Sequence, residues 1–88
     1  MKAIILAAGK GERLMPLTSD TPKSLLELEN ETTLLESQLI TINKTAIDKV
    51  VIVTGYLTEK IEFKVQRYSK EYNIDIQIIY NPFFDISN

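Results

Sequence analysis

Cysteine and histidine are both missing from the 88 residues, and each absence removes a class of chemistry. Without cysteine there is neither a disulfide framework nor a thiolate metal site. Without histidine the usual general base and the commonest transition-metal ligand are gone. Charge of one sign is lacking too: ten basic residues meet twelve acidic ones for a net charge of −2, which argues against nucleic acid as a bulk partner. No apolar run approaches the ~20 residues of a membrane span. Nor does the N-terminus carry the h-region and cleavage site of a signal peptide, since charge arrives by Lys10. A cytoplasmic protein is the expectation. At this length there is room for one small domain with a marginal core.

Glycine is scarce, with three in the chain, and two of them fall in one stretch. The short apolar run Ala3 to Ala8 ends in Gly9-Lys10-Gly11, Arg13 follows two residues later, and Lys23 comes after Thr21-Pro22. A run of this length bounded by glycine fits a strand buried on both faces, as in a parallel sheet. Glycine allows positive φ and close approach of a ligand to the backbone. Arg13 and Lys23 supply cations suited to phosphate oxygens. These residues describe an anion-binding loop at the carboxyl end of a strand, set against the plainer alternative of a tight turn with solvated charges. The common nucleotide motifs do not apply. The dinucleotide fingerprint and the kinase-type loop both need a third glycine where Leu14 stands, and no Walker pattern is present.

Ser19-Asp20 and Pro22 mark a loop, Lys23 to Leu28 reads as a short extended segment, and Glu29-Asn30-Glu31 as a polar turn. Glu27, Glu29, Glu31 and Glu36 read as a solvated face, without the shared geometry of a metal site. Thr32 or Thr33 caps a helix, with Glu36 completing a capping box. Leu35, Leu39, Ile42 and Ala46 give that helix one apolar stripe. Lys49 to Thr54 is a β-branched strand closed by Gly55-Tyr56. Thr58 caps a second helix, whose Ile61, Val65, Tyr68 and Tyr72 share a face. Lys60, Lys64, Arg67 and Lys70 form its solvated surface. Ile74 to Tyr80 is a strand nearer an edge, broken by Asn81-Pro82, and Phe83 and Phe84 are expected to pack against something.

The fold class is therefore α/β, a Rossmann-like parallel sheet with flanking helices and right-handed crossovers. Such sheets bind ligands outside the carboxyl ends of their strands. Gly9-Lys10-Gly11, Gly55-Tyr56 and Asn81 all sit at such ends, so three loops are expected to meet on one rim.

Leu6-Ala-Ala-Gly-Lys-Gly-Glu-Arg-Leu-Met-Pro-Leu-Thr18, followed by Thr21-Pro-Lys-Ser-Leu-Leu26, resembles the signature of the nucleotidyltransferases that act on sugar phosphates and phosphocholine. Leu34-Leu-Glu-Ser-Gln38, Val53-Thr-Gly-Tyr56 and Asn81 to Asn88 resemble stretches of the phosphocholine-like branch. The resemblance implies the first βαβαβ half of one nucleotidyltransferase domain over residues 1–88. It implies transfer of a nucleoside monophosphate from a nucleoside triphosphate to a phosphorylated small-molecule acceptor, with release of pyrophosphate. CTP is favoured, with UTP, dTTP and GTP left open, and the acceptor is phosphocholine or a sugar 1-phosphate. By the same carry-over, the backbone of Leu6, Ala7, Ala8, Gly9, Lys10, Gly11 and Glu12 holds the nucleotide, with Gly55 and Asn81 near the base. Arg13 contacts the β- and γ-phosphates, and Lys23 bridges donor and acceptor phosphates. Mg²⁺ is implied as the cofactor, with aspartate ligands expected beyond residue 88, so the chain alone is expected to be a truncated piece with negligible turnover. The alternative is a non-catalytic nucleotide-binding or interaction module, a homo-oligomer joined through the open sheet edge beside the first strand.

Overall fold

The computed structural model describes residues 1–83. Phe84 to Asn88, and with them most of the resemblance at Asn81 to Asn88, lie outside the described residues. Strand β1 (Lys2–Ala7), helix α1 (Leu34–Asn43), strand β2 (Lys49–Thr54), helix α2 (Thr58–Tyr72) and strand β3 (Asp75–Tyr80) follow in order. The sheet runs β1-β2-β3 with both pairs parallel. Register is continuous, Leu6 lying beside Val53 and Val53 beside Ile79.

That strand order decides where the core lies. Successive right-handed crossovers between adjacent strands deliver their helices to the same side of a sheet. Ile5, Ala7, Val50 and Ile52 accordingly pack against Leu35, Leu39, Ile61, Val65 and Tyr68 in one cluster. The opposite face carries Ile4, Leu6, Val51, Val53 and Ile79. There Ile4 is 65% exposed, Leu6 81% and Ile79 48%. This corrects the expectation that β1 is buried on both faces: its apolar run continues through both faces, but among the described residues helices cover just one. Only β2, sheltered by a strand on each side, keeps Val51 buried as well.

Helix α1 begins as the sequence indicates, with Thr33 as N-cap accepting from the Glu36 amide at 3.1 Å. The reciprocal half of the box is replaced. Glu36 is not solvated, its side chain being 13% exposed, and its carboxylate turns to α2, where it accepts from the Tyr72 hydroxyl at 2.7 Å. Arg67 stands 3.8 Å from the same oxygen. Thr33 and Tyr68, both buried, share a hydrogen bond of 2.8 Å. The Ala46 end of the expected stripe is exposed beyond the helix.

Three further local expectations change. Thr58 is not the cap of α2 but its first residue; Leu57 precedes it in the left-handed region at φ 54. Lys23 to Leu25 winds into a 3-10 turn rather than extending, closed by Leu25 N–H donating to the Pro22 carbonyl at 2.9 Å. Phe83 stays 63% exposed.

The Glu36 carboxylate beside Tyr72, through its hydrogen bond first and burial second, pushes the phenol up to about 12. A raised folded pKa means the neutral phenol stabilises the fold fully below about pH 10 and loses that contribution as pH climbs towards 12. Tyr72→Phe should therefore lower stability at pH 7 by about 1 kcal/mol. It should also flatten the alkaline fall in stability between about pH 10 and 12, as urea melts across that range will read.

Candidate functional site

The carboxyl ends of the three strands are tied into one rim by main-chain hydrogen bonds. The Tyr56 amide donates to the Ala8 carbonyl at 3.1 Å, and the Asn81 amide to the Thr54 carbonyl at 2.7 Å. Gly9-Lys10-Gly11, Gly55 and Asn81 thus sit side by side, with Gly55 buried between its neighbours. Among the described residues, Leu6, Ala7, Gly9, Gly11, Lys23 and Ser24 line one concavity of about 250 Å³ on this rim.

The two glycines of the loop serve different ends. Gly11 takes φ +64, the left-handed region that side chains disfavour by roughly 1–2 kcal/mol. A Cβ there would also stand 3.2 Å from Thr18 Cγ2 and 3.3 Å from Lys23 Cβ. The missing side chain is what lets Thr18 and the base of Lys23 close on the loop. Gly9 needs no unusual φ, and a Cβ on it would meet nothing within 4 Å. Its open side leaves backbone accessible to a ligand.

From Gly11 the chain winds through tight turns. The Leu14 amide donates to the Gly11 carbonyl at 2.9 Å, forming the 3-10 turn Glu12–Leu14 on which Glu12 and Arg13 stand exposed. The Thr18 hydroxyl, in a residue 0% exposed, donates to the same Gly11 carbonyl at 2.8 Å and closes the loop. Pro22 is buried and starts the next turn, which presents Lys23 and Ser24. Neither Arg13 nor Lys23 makes an ion pair or side-chain hydrogen bond among the described residues. Both cations stand on braced backbone with their charge turned to solvent.

Of the eleven residues singled out from the sequence, Leu6, Ala7, Gly9, Gly11 and Lys23 line the concavity. Ala8 supplies a rim carbonyl, and Asn81 a rim amide. Lys10, Glu12, Arg13 and Gly55 belong to the surrounding loops without lining it. Ser24 and Thr18 are additions. Thr18 lies within the signature stretch, yet nothing in its spacing reveals that its hydroxyl returns seven residues to Gly11. No group of three or more His, Cys, Asp or Glu residues converges among the described residues. No described helix is long and apolar enough to cross a membrane.

Known proteins share this arrangement. The nucleotidyl transferase family profile matches residues 2–84. A choline-phosphate cytidylyltransferase of Haemophilus influenzae is 44% identical over 81 residues, covering 92% of this chain and 32% of that protein. A UTP–glucose-1-phosphate uridylyltransferase of Haloferax volcanii is 42% identical over 74 residues, 82% of this chain and 28% of its own length. The solved structure of a CTP:phosphocholine cytidylyltransferase from Streptococcus pneumoniae superposes with a TM-score of 0.82 at 34% identity, covering 99% of this chain and 35% of the other. The chain spans about a third of the length of these relatives.

Gly11→Ala should cost about 1–3 kcal/mol, since it adds a left-handed penalty to a contact that Thr18 and Lys23 must yield to. Gly9→Ala, with open space around it, should leave the melting temperature within about 4 °C of wild type. Thermal melts of the two variants side by side check both.

Proposed function

The chain belongs to the nucleotidyl transferase family, and from that membership we propose that it carries the nucleotide-binding loop of an enzyme that moves a nucleoside monophosphate from a nucleoside triphosphate to a phosphorylated small molecule. The observation that carries this reading is the rim itself. A glycine-lined concavity at the carboxyl ends of parallel strands stands beside Arg13 and Lys23, whose charges are not offset by any described side chain.

In the proposed reaction an oxygen of the acceptor phosphate attacks the α-phosphorus of the triphosphate. A new phosphorus–oxygen bond forms, the bond to the β-phosphate oxygen breaks, and pyrophosphate leaves with that electron pair. The attacking oxygen is already an anion, so no proton has to be removed, and a site without histidine is adequate. Positioning and charge neutralisation do the rest. Gly9 and the backbone from Leu6 to Glu12 would bind the nucleotide, with Gly55 and Asn81 towards the base. Arg13 would neutralise the β- and γ-phosphates as they depart. Lys23 would hold the donor and acceptor phosphates together. Mg²⁺ remains in the proposal as an ion with ligands beyond residue 88, where it would neutralise phosphate charge.

CTP and phosphocholine are the favoured pair, because both the Haemophilus and the Streptococcus relatives are named for that chemistry. UTP with a sugar 1-phosphate is the second choice, on the strength of the Haloferax relative, and dTTP and GTP come after it. The reading puts the protein in the cytoplasm, the compartment that supplies nucleoside triphosphates. A second reading draws on the exposed Ile4, Leu6 and Ile79: a non-catalytic module that assembles through this side of the sheet. Its mark would be oligomers in sedimentation together with no pyrophosphate release.

Arg13→Ala and Lys23→Ala should each lower kcat/KM for pyrophosphate release by about 10²–10³, the usual cost of deleting a donor that stabilises transition-state charge. Both residues are exposed, so folding should be unaffected. Full activity in either variant would remove that residue from the mechanism.

A further inference from the structure

We propose that Tyr56 is a positioning residue for the phosphate loop, fastening it at both ends so that Arg13 and Lys23 are held ready before a nucleotide arrives. The proposal rests on the nucleotidyl-transfer reading of the site and adds to it a residue that acts through the loop.

Tyr56 follows β2 on the rim. Its amide holds the Ala8 carbonyl, where the loop leaves β1. Its phenol reaches across to the other end of the same loop, 2.7 Å from the Thr18 carbonyl and 2.8 Å from the Ser19 carbonyl. One phenolic proton is shared between these two acceptors. The partners lie 38 and 37 residues away in sequence, so this side chain joins the end of β2 to the far end of the loop. One helical turn further on, the Lys60 ammonium donates to the Asp20 carbonyl. Tyr56 in the β2–α2 turn and Lys60 in the first turn of α2 thus grip three consecutive carbonyls, those of Thr18, Ser19 and Asp20.

What is gripped matters more than the grip. Thr18 is fully buried, its hydroxyl donates to the Gly11 carbonyl, and its Cγ2 abuts Gly11 beside Lys23 Cβ. The Gly11 carbonyl also closes the turn that bears Arg13. A displacement of Thr18 would therefore move the footing of both cations together. Leu57, next to Tyr56, is held at φ 54, a conformation that costs a non-glycine residue about 1 kcal/mol or more. That cost is incurred at the one residue joining the phenol's own position to α2. A loop fixed in advance loses less conformational freedom on binding, and this is the advantage a positioning residue provides.

The plainer account makes Tyr56 a structural tie that contributes to stability and nothing else. Tyr56→Phe keeps the ring and the amide bond to Ala8 but removes the phenol's hydrogen bonds, and in the full-length protein it separates the two. On our account KM for CTP rises about five- to tenfold, in line with the net worth of one such bond, while the melting temperature stays within about 4 °C. Trypsin should also cut after Arg13 sooner than in wild type under native conditions. Tyr72→Phe, which removes a phenol from the helix pair away from the loop, is the control and should leave KM where it was. Lys60→Ala loosens the same loop from its exposed end and should raise KM in the same direction, which keeps the test open should Tyr56→Phe not fold. An unchanged KM in Tyr56→Phe, or one shifted equally by Tyr72→Phe, overturns the role of Tyr56 alone. A wild-type protein that binds neither CTP nor any other nucleoside triphosphate overturns the reading of the site itself, and this proposal with it.

Discussion

Parallel pairing in a single register is the constraint on which this structure depends. It points every strand's carboxyl end the same way, so the three loops that follow must emerge on one rim. It also demands a long crossover after each strand, and the fixed hand of those crossovers stacks α1 and α2 on one face. The location of the core and the location of the concavity are then two results of one geometry. The hydrogen bonds from Tyr56 to Ala8 and from Asn81 to Thr54 extend the ladder past the last paired residues. They carry the order of the sheet into loops that would otherwise be loose.

The helix layer is braced by polar contacts at its margin. Leu35, Leu39, Ile61 and Tyr68 are fully buried, and side chains of this size each contribute about 1.5–3 kcal/mol when removed from water. Such burial is non-directional and does not by itself choose the angle between two helices. The bonds between Thr33 and Tyr68, and between Glu36 and Tyr72, supply direction. Burial and, behind it, nearby carboxylates push the Tyr68 phenol up despite the opposing effect of Thr33 and Arg67. The phenol therefore stays neutral and fits an interior that accepts it as a hydrogen-bonding group. No buried side-chain polar atom lacks a partner among the described residues, as a packed interior requires.

Much of this was legible in the sequence where one residue's environment is set by its near neighbours. The β-branched run from Val50 to Val53, the spacing of Ile61, Val65, Tyr68 and Tyr72, and Thr33 as a cap are local signals, and the structure follows them. The glycine pair marked the rim, but not that Gly11 alone takes positive φ while Gly9 borders open space, because the sequence symbol is identical for both. The exposed face of β1 is hidden in the sequence for a related reason. Ile4 and Leu6 are as apolar as Ile5, and hydropathy does not record which side of a strand the helices reach. Glu36 looks solvated in the sequence because its partners Tyr72 and Arg67 lie on the next helix. Tyr56 is legible as a rim residue after β2, but the reach of its phenol is not. Its phenol meets main-chain carbonyls, which have no identity in a sequence, and they stand nearly forty residues away.

A site without histidine looks poorly equipped until the proposed chemistry is considered from the attacking atom's side. A phosphate oxygen needs no base, so there is little for a tuned side-chain pKa to do. The difficulty is to bring two polyanions together and to accept the charge that moves onto pyrophosphate. Fixed cations meet that need only if they do not have to reorganise during the reaction. Arg and Lys have long, flexible stems, each with about 2 kcal/mol of rotamer freedom, and neither Arg13 nor Lys23 is held by an ion pair among the described residues. Their preorganisation therefore has to come from the backbone beneath them. The buried Thr18, the left-handed Gly11 and the buried Pro22 provide it, and every one of those contacts is main-chain or close to it. In this segment the precision of the site resides in the loop's footing rather than in the side chains that would meet the phosphates.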